Sequence, residues 1–267
     1  MQGPFAIFCR GHSGGRIVCE AYQRNGIQMG NVTERQKDTP FFAIHKNEHI
    51  REIILNSYKY FSADASTRQR LQTLMRKTVD EFRRAEIQGE GAFGWKNGHN
   101  IFTAPILLDA LPEAKVVHVI RDGRDVMLSR LDVRVARLDD PANRLMVFGD
   151  AEVAAFADLS LNAETIEKFR NELEMQHWVT AVEYGLRCRT YKGRYLEIKY
   201  EDVCIEPIKT FGRIFDFLGV PFLDETMQWL RHSTSTSRIG KWKALPPEAL
   251  EQPLKIGGPL LSRLAYL

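Results

Sequence analysis

The chain has 267 residues, 44% of them hydrophobic and 27% charged, with a formal net charge of +3. Such a composition predicts an ordinary soluble globular protein with enough chain for a full core. The small net charge argues against a protein that coats nucleic acid, and no run approaches the roughly 20 apolar residues of a membrane span.

The first residues, MQGPFAIFCRGHSGG, lack the basic start and long apolar centre of a secretion signal. PFAIFC predicts a short buried strand. The glycine-rich turn RGHSGGR follows, and then a helix from about Gly15 to Arg24, ended by Asn25-Gly26. IQMG predicts a second short strand. His45 and His49 are four residues apart and would share a helix face, as metal ligands can, but no nearby Cys or third His completes a set. From Asp64 to Ala85 the apolar residues Leu71, Leu74, Met75, Val79 and Phe82 recur at helical spacing. Phe102 to Leu111 predicts another helix, stopped by Pro112. KVVHVI, Lys115 to Ile120, is a β-branched run of the kind that fills a parallel sheet covered on both faces, with His118 as a core histidine. Asp139 to Leu161 carries the loop signals Asp-Asp-Pro and Phe-Gly-Asp. A long helix is expected through Ile166, Phe169, Leu173, Trp178, Val182 and Leu186. RYLEIKY predicts a strand, and Pro207 opens a helix carrying Ile208, Phe211, Ile214, Phe215 and Leu218. Strands alternating with helices predict an α/β fold: a mainly parallel central sheet with helices on both faces, in a single domain over residues 1–267. None of the four cysteines, Cys9, Cys19, Cys188 and Cys204, lies in a CxxC pair, so reduced thiols in a cytoplasmic protein are expected.

Two segments carry chemistry. A strand, a glycine turn and a helix together make an anion site, because free backbone N–H groups at the helix start point into the turn. Gly11, Gly14 and Gly15 let the chain approach a bulky phosphate or sulfate, Ser13 adds a hydroxyl, and Arg10, His12 and Arg16 add charge. The nucleoside-triphosphatase loop is excluded, because it needs GxxxxGK followed by Ser or Thr, whereas the fifth residue after Gly11 is Arg16. The second segment is RDGRDVMLSRL. Arg121 stands at the carboxyl end of KVVHVI, the edge where open α/β sheets bind ligands, and Ser129 follows eight residues later. A guanidinium fork suits a phosphate there. A plain connector and a salt-bridged loop are the alternative readings of the two segments.

Taken in order, these segments resemble the sulfotransferases that use 3′-phosphoadenosine 5′-phosphosulfate (PAPS). GHSGGR is similar to their 5′-phosphosulfate loop, and VVHVIRDGRDVMLS to their 3′-phosphate motif, with Arg121 and Ser129 at the usual spacing. GWKNGHNIF resembles the Lys-x-Pro segment. YLEIKYEDVCIEP resembles the strand and helix that follow the 3′-phosphate motif, with Tyr200 near the adenine. SRIGKWK resembles the late loop that closes on the 3′-phosphate through Arg238, Gly240 and Lys241. His12 stands where the family has Lys or Arg, Gly15 where it has Thr, and Gly98 where it has Pro; some bacterial members have a similar Gly-His-Ser-Gly start.

The resemblance implies a P-loop-like sulfotransferase fold and in-line transfer of a sulfuryl group to a hydroxyl of a small molecule, glycan or lipid, releasing adenosine 3′,5′-bisphosphate without an essential metal. Lys96 and His12 are the expected charge stabilisers, and His99 the expected base. The acceptor would be chosen by Arg35 to Phe61 and Arg130 to Leu161. A phosphotransferase and a catalytically silent nucleotide-binding homologue remain the alternatives.

Overall fold

The computed structural model describes residues 2–129, 138–150 and 163–267. Among them, four strands form one parallel sheet: β1 (Gln2–Cys9), β2 (Ala92–Lys96), β3 (Lys115–Ile120) and β4 (Tyr195–Lys199), in the order β2-β1-β3-β4. The helices are α1 (Gly15–Arg24), α2 (Glu48–Leu55), α3 (Ala65–Glu86), α4 (Ala104–Ala110), α5 (Gly123–Ser129), α6 (Pro141–Phe148), α7 (Ala163–Lys168), α8 (Arg170–Leu186), α9 (Tyr200–Ile205), α10 (Pro207–Leu218), α11 (Asp224–Ser233) and α12 (Glu248–Arg263).

Side-chain alternation along the strands builds two cores. Phe5, Ile7, Cys9, Val117, Val119 and Ile198 face α1 and α10, where they meet Val18, Tyr22, Phe211 and Phe215. Ala6, Phe8, Trp95 and Val116 face the other way, toward Phe42, Phe82, Leu107 and Tyr184. Helices therefore cover both faces of an α/β sheet, as expected from sequence. The register aligns Ile7 with Lys96, Cys9 with Val119, and Ile120 with Lys199. All four strands thus end at one edge, which collects the residues that follow them.

Several expected elements change. IQMG makes only one bridge, Gln28 to Phe93. Gly26 and Gly30 both take positive φ, +80° and +62°, which turns the chain away from a longer ladder. The expected loop after Asp139 contains α6, capped by the Asp140 carboxylate, which accepts the N–H groups of Ala142 and Asn143; residues 151–162 lie outside the described residues. The long helix is divided at Phe169 into α7 and α8. RYLEIKY is a strand only to Lys199, and Tyr200 opens α9. His45 lies in a turn before α2, so it shares no helix face with His49.

His118 is fully buried in β3, and its Nδ1 lies 2.6 Å from the Tyr195 hydroxyl. Burial lowers its pKa from 6.5 to about 4. The folded state therefore favours the neutral ring, and its contribution to stability is complete above pH 6.5 and is lost as pH falls from there to about 4. The difference is worth about 3 kcal/mol. Thermal unfolding of His118→Gln should show a shallower loss of stability between pH 6.5 and 4 than the unaltered chain; equal slopes would refute the assignment.

Candidate functional site

The turn after β1 is shaped by its neighbours. His12 and Gly14 both have left-handed backbones, φ +67° and +91°. A Cβ at Gly14 would fall 2.2 Å from Cδ2 of Tyr200, so only glycine lets that ring lie against the turn. Gly15 opens α1, and a Cβ there would fall 2.7 Å from Cys9 Sγ and 3.0 Å from Lys96 Cε. The space a Thr side chain would need there is thus taken by the Cys9 thiol and the Lys96 stem. A Cβ at Gly98 would lie 3.3 Å from the Cys9 carbonyl oxygen and 3.8 Å from the Gly11 nitrogen, so the segment after β2 packs directly on the turn.

The predicted residues separate into three groups. Lys96, at the end of β2, is buried, and its ammonium donates to Asp38 Oδ1 at 2.7 Å and to the Gln36 carbonyl at 2.8 Å. Asp38 was not singled out from sequence. It falls within the segment expected to choose the acceptor, but only its contact with Lys96 distinguishes it from the other acids there. His99 is half-buried in a 3₁₀ turn over Gly98–Thr103, with its backbone N–H held by Asn97 Oδ1 at 3.1 Å.

The second group surrounds Arg121, which is 6% exposed. Its guanidinium donates to the His12 carbonyl at 3.1 Å and to the Arg238 carbonyl, and lies 4.7 Å from the Tyr200 ring centre. Residues from four distant parts of the chain thus meet: His12 and Gly14 of the turn, Arg121, Tyr200 and Arg238. Gly240 joins them through Asp125 Oδ2, which accepts its N–H at 2.7 Å. Glu201 braces the same edge, accepting the Asp122 N–H and the Tyr266 hydroxyl, and burial raises its pKa. Ser129, half-buried, closes α5 two turns beyond Arg121.

The third group consists of Arg10, which turns elsewhere. Arg10 pairs with Glu174 of α8, and both side chains are 1% exposed. Its charge anchors the base of the turn to α8. The Arg16, Arg238 and Lys241 side chains are exposed.

Two buried donors fit a phosphorylated ligand. Ser13 is 1% exposed, and its hydroxyl has no hydrogen-bond partner. The Nε of Arg121 is likewise buried without one. Leaving such groups unmatched costs about 1–3 kcal/mol each, which an oxyanion arriving at the turn would recover. Cys9 accepts the Gly15 N–H, yet burial keeps its thiol pKa raised despite the nearby Lys96.

The chain is similar to known sulfotransferases. The sulfotransferase family profile matches residues 18–225, beginning just after the glycine turn and ending before the late loop. Carbohydrate sulfotransferase 2 of human and mouse is 27% identical over 160 residues, covering 50% of this chain and 28% of the relative. The chain therefore spans under a third of that relative's length. Sulfotransferase STF9 from Mycobacterium avium superposes with a TM-score of 0.58 at 12% identity, over 98% of this chain and 76% of the other. Mouse sulfotransferase SULT7A1, solved in complex with PAP, superposes with a TM-score of 0.52 at 13% identity, over 100% and 86%. These likenesses give the chain a sulfotransferase fold. Among the described residues, no helix is long and apolar enough to cross a membrane. Strand ends, glycine turn and arginine-bearing edge lie within or directly beside the matched span, and the chain belongs to the sulfotransferase family.

Proposed function

We propose that this chain uses PAPS to sulfate a hydroxyl of a small molecule, glycan or lipid and releases adenosine 3′,5′-bisphosphate. The supporting observation is that Arg121 holds the His12 carbonyl, so that an arginine suited to one phosphate and a turn suited to another sit on one sheet edge. PAPS supplies an activated sulfuryl group; the chain positions it and balances charge. The amides of Gly14, Gly15 and Arg16 and the Ser13 hydroxyl bind the 5′ end, with Gly11 and His12 shaping the turn. Arg121, Ser129, Arg238, Gly240 and Lys241 receive the 3′-phosphate, and the Tyr200 ring lies beside the adenine.

Lys96 faces the sulfuryl oxygens. An ammonium has three donors, and Asp38 and the Gln36 carbonyl take two of them. His99 and Asp38 both suit the role of base. The Asp38–Lys96 contact also lets Asp38 orient the Lys96 ammonium. Four free cysteines among the described residues fit a reducing, cytoplasmic setting, and residues 1–267 act as one sulfotransferase domain.

A thermal-shift titration tests the reading. Adenosine 3′,5′-bisphosphate at 100 times its dissociation constant should stabilise the chain by about 2.7 kcal/mol and raise Tm by several degrees, whereas AMP should do so far less. A shift with ATP and magnesium but not the bisphosphate would favour a phosphotransferase. No shift with any of them would remove the enzymatic reading, and a bisphosphate shift without PAPS turnover would indicate a silent homologue.

A further inference from the structure

The second aspartate of RDGRD is placed oddly for an anion site. Asp125 lies one helical turn after Arg121, is 2% exposed, and puts Oδ2 3.6 Å from the Arg121 guanidinium. A carboxylate there repels any phosphate that Arg121 attracts. Its other contacts supply the reason for its presence. Oδ2 accepts the Gly240 N–H at 2.7 Å, and Oδ1 accepts the Trp242 N–H at 3.2 Å. Both amides belong to the late loop, where Gly240 has φ +72° and the Trp242 ring lies 3.6 Å from the guanidinium of Arg124. Arg238, Lys241 and Lys243, three exposed cations, sit on the same loop.

We infer that Asp125 is a positioning residue that latches residues 236–244 to α5, so that the loop's cations and Arg121 together select a nucleotide carrying a 3′-phosphate. One buried negative charge thereby fixes three positive ones beside the arginine that lies on the turn. A carboxylate is the side chain that can accept two backbone N–H groups at once while remaining paired with Arg121. An asparagine of the same shape offers one acceptor oxygen and turns an N–H₂ toward the second amide. This inference rests on the proposed nucleotide site.

The test compares Asp125→Asn with the unaltered chain by calorimetric titration of adenosine 3′,5′-bisphosphate and of AMP, and by limited trypsin cleavage after Arg238, Lys241 and Lys243. The variant should bind the bisphosphate roughly tenfold or more weakly, as expected for lost hydrogen bonds to a charged group, while AMP affinity stays within about twofold. Cleavage in the loop should accelerate in the variant, and the bisphosphate should protect the unaltered chain. Gly240→Ala strains the left-handed residue whose N–H Asp125 accepts, while leaving the Asp125 carboxylate and its pairing with Arg121 intact. It should reproduce the selective loss, which keeps the test open if Asp125→Asn folds poorly. Equal loss of both nucleotides with unchanged loop cleavage would overturn the latch. If the unaltered chain does not distinguish the nucleotides, the nucleotide reading fails and selection by the latch falls with it. The cleavage comparison then still decides whether Asp125 holds the loop.

Discussion

Lys96→Met is expected to lower kcat by roughly 10²–10³-fold, the usual cost of removing one preorganised donor from a developing oxyanion. The KM for PAPS should change much less, because Lys96 adds to transition-state binding rather than to the phosphate contacts around Arg121. The Lys96 stem lies beside the Cys9 thiol over Gly15, and methionine retains most of its volume, so a folded variant is expected. Its partner gives the companion measurement. Asp38→Asn should lower kcat roughly 10²–10⁴-fold if Asp38 takes the acceptor proton, the usual contribution of a general base. If His99→Asn shows that loss and Asp38→Asn does not, the base is His99. A variant of Lys96 with unchanged kcat would show that the ammonium is a structural tie between β2 and residues 36–38.

Glu174→Ala is expected to destabilise the fold by about 3–5 kcal/mol, because it takes the carboxylate from a buried guanidinium. For a chain of this length that corresponds to a fall in Tm of roughly 6–20 °C. Arg10 and Glu174 are each 1% exposed and join the first residue after β1 to α8 across 164 positions of sequence. Replacing both by apolar residues, as in Arg10→Met with Glu174→Leu, should recover much of the loss, since the desolvation of two charges is then also removed. The double-mutant cycle separates the pair's coupling from the cost of either truncation. A loss below about 1 kcal/mol for Glu174→Ala would mean that water reaches Arg10 or that its other contacts suffice.

The strands and the turn were legible in the sequence because local rules determine them. PFAIFC and KVVHVI are apolar runs too short for helices, and α1 follows its glycine turn and ends at Asn25-Gly26 within the predicted bounds. Arg121 was legible for the same reason, as a charged residue placed at a strand end by the strand itself. The single bridge of IQMG, the helix between the loop signals at Asp140-Pro141 and Gly149-Asp150, and the limits of RYLEIKY were not legible, since their state depends on backbone turns and capping contacts that compete closely with the local pattern.

Local patterns were enough for an α/β chain with glycine turn and arginine at one sheet edge, because alternation, β-branching and glycine act over a few residues. The partners of the charged side chains came from the completed packing. It turned Arg10 toward Glu174, set Asp38 against Lys96, and bound Asp125 to the backbone of the late loop. Each of these contacts joins segments far apart in the chain. Whether an ionised side chain faces a ligand or another residue depends on which opposite charge the completed packing brings within reach.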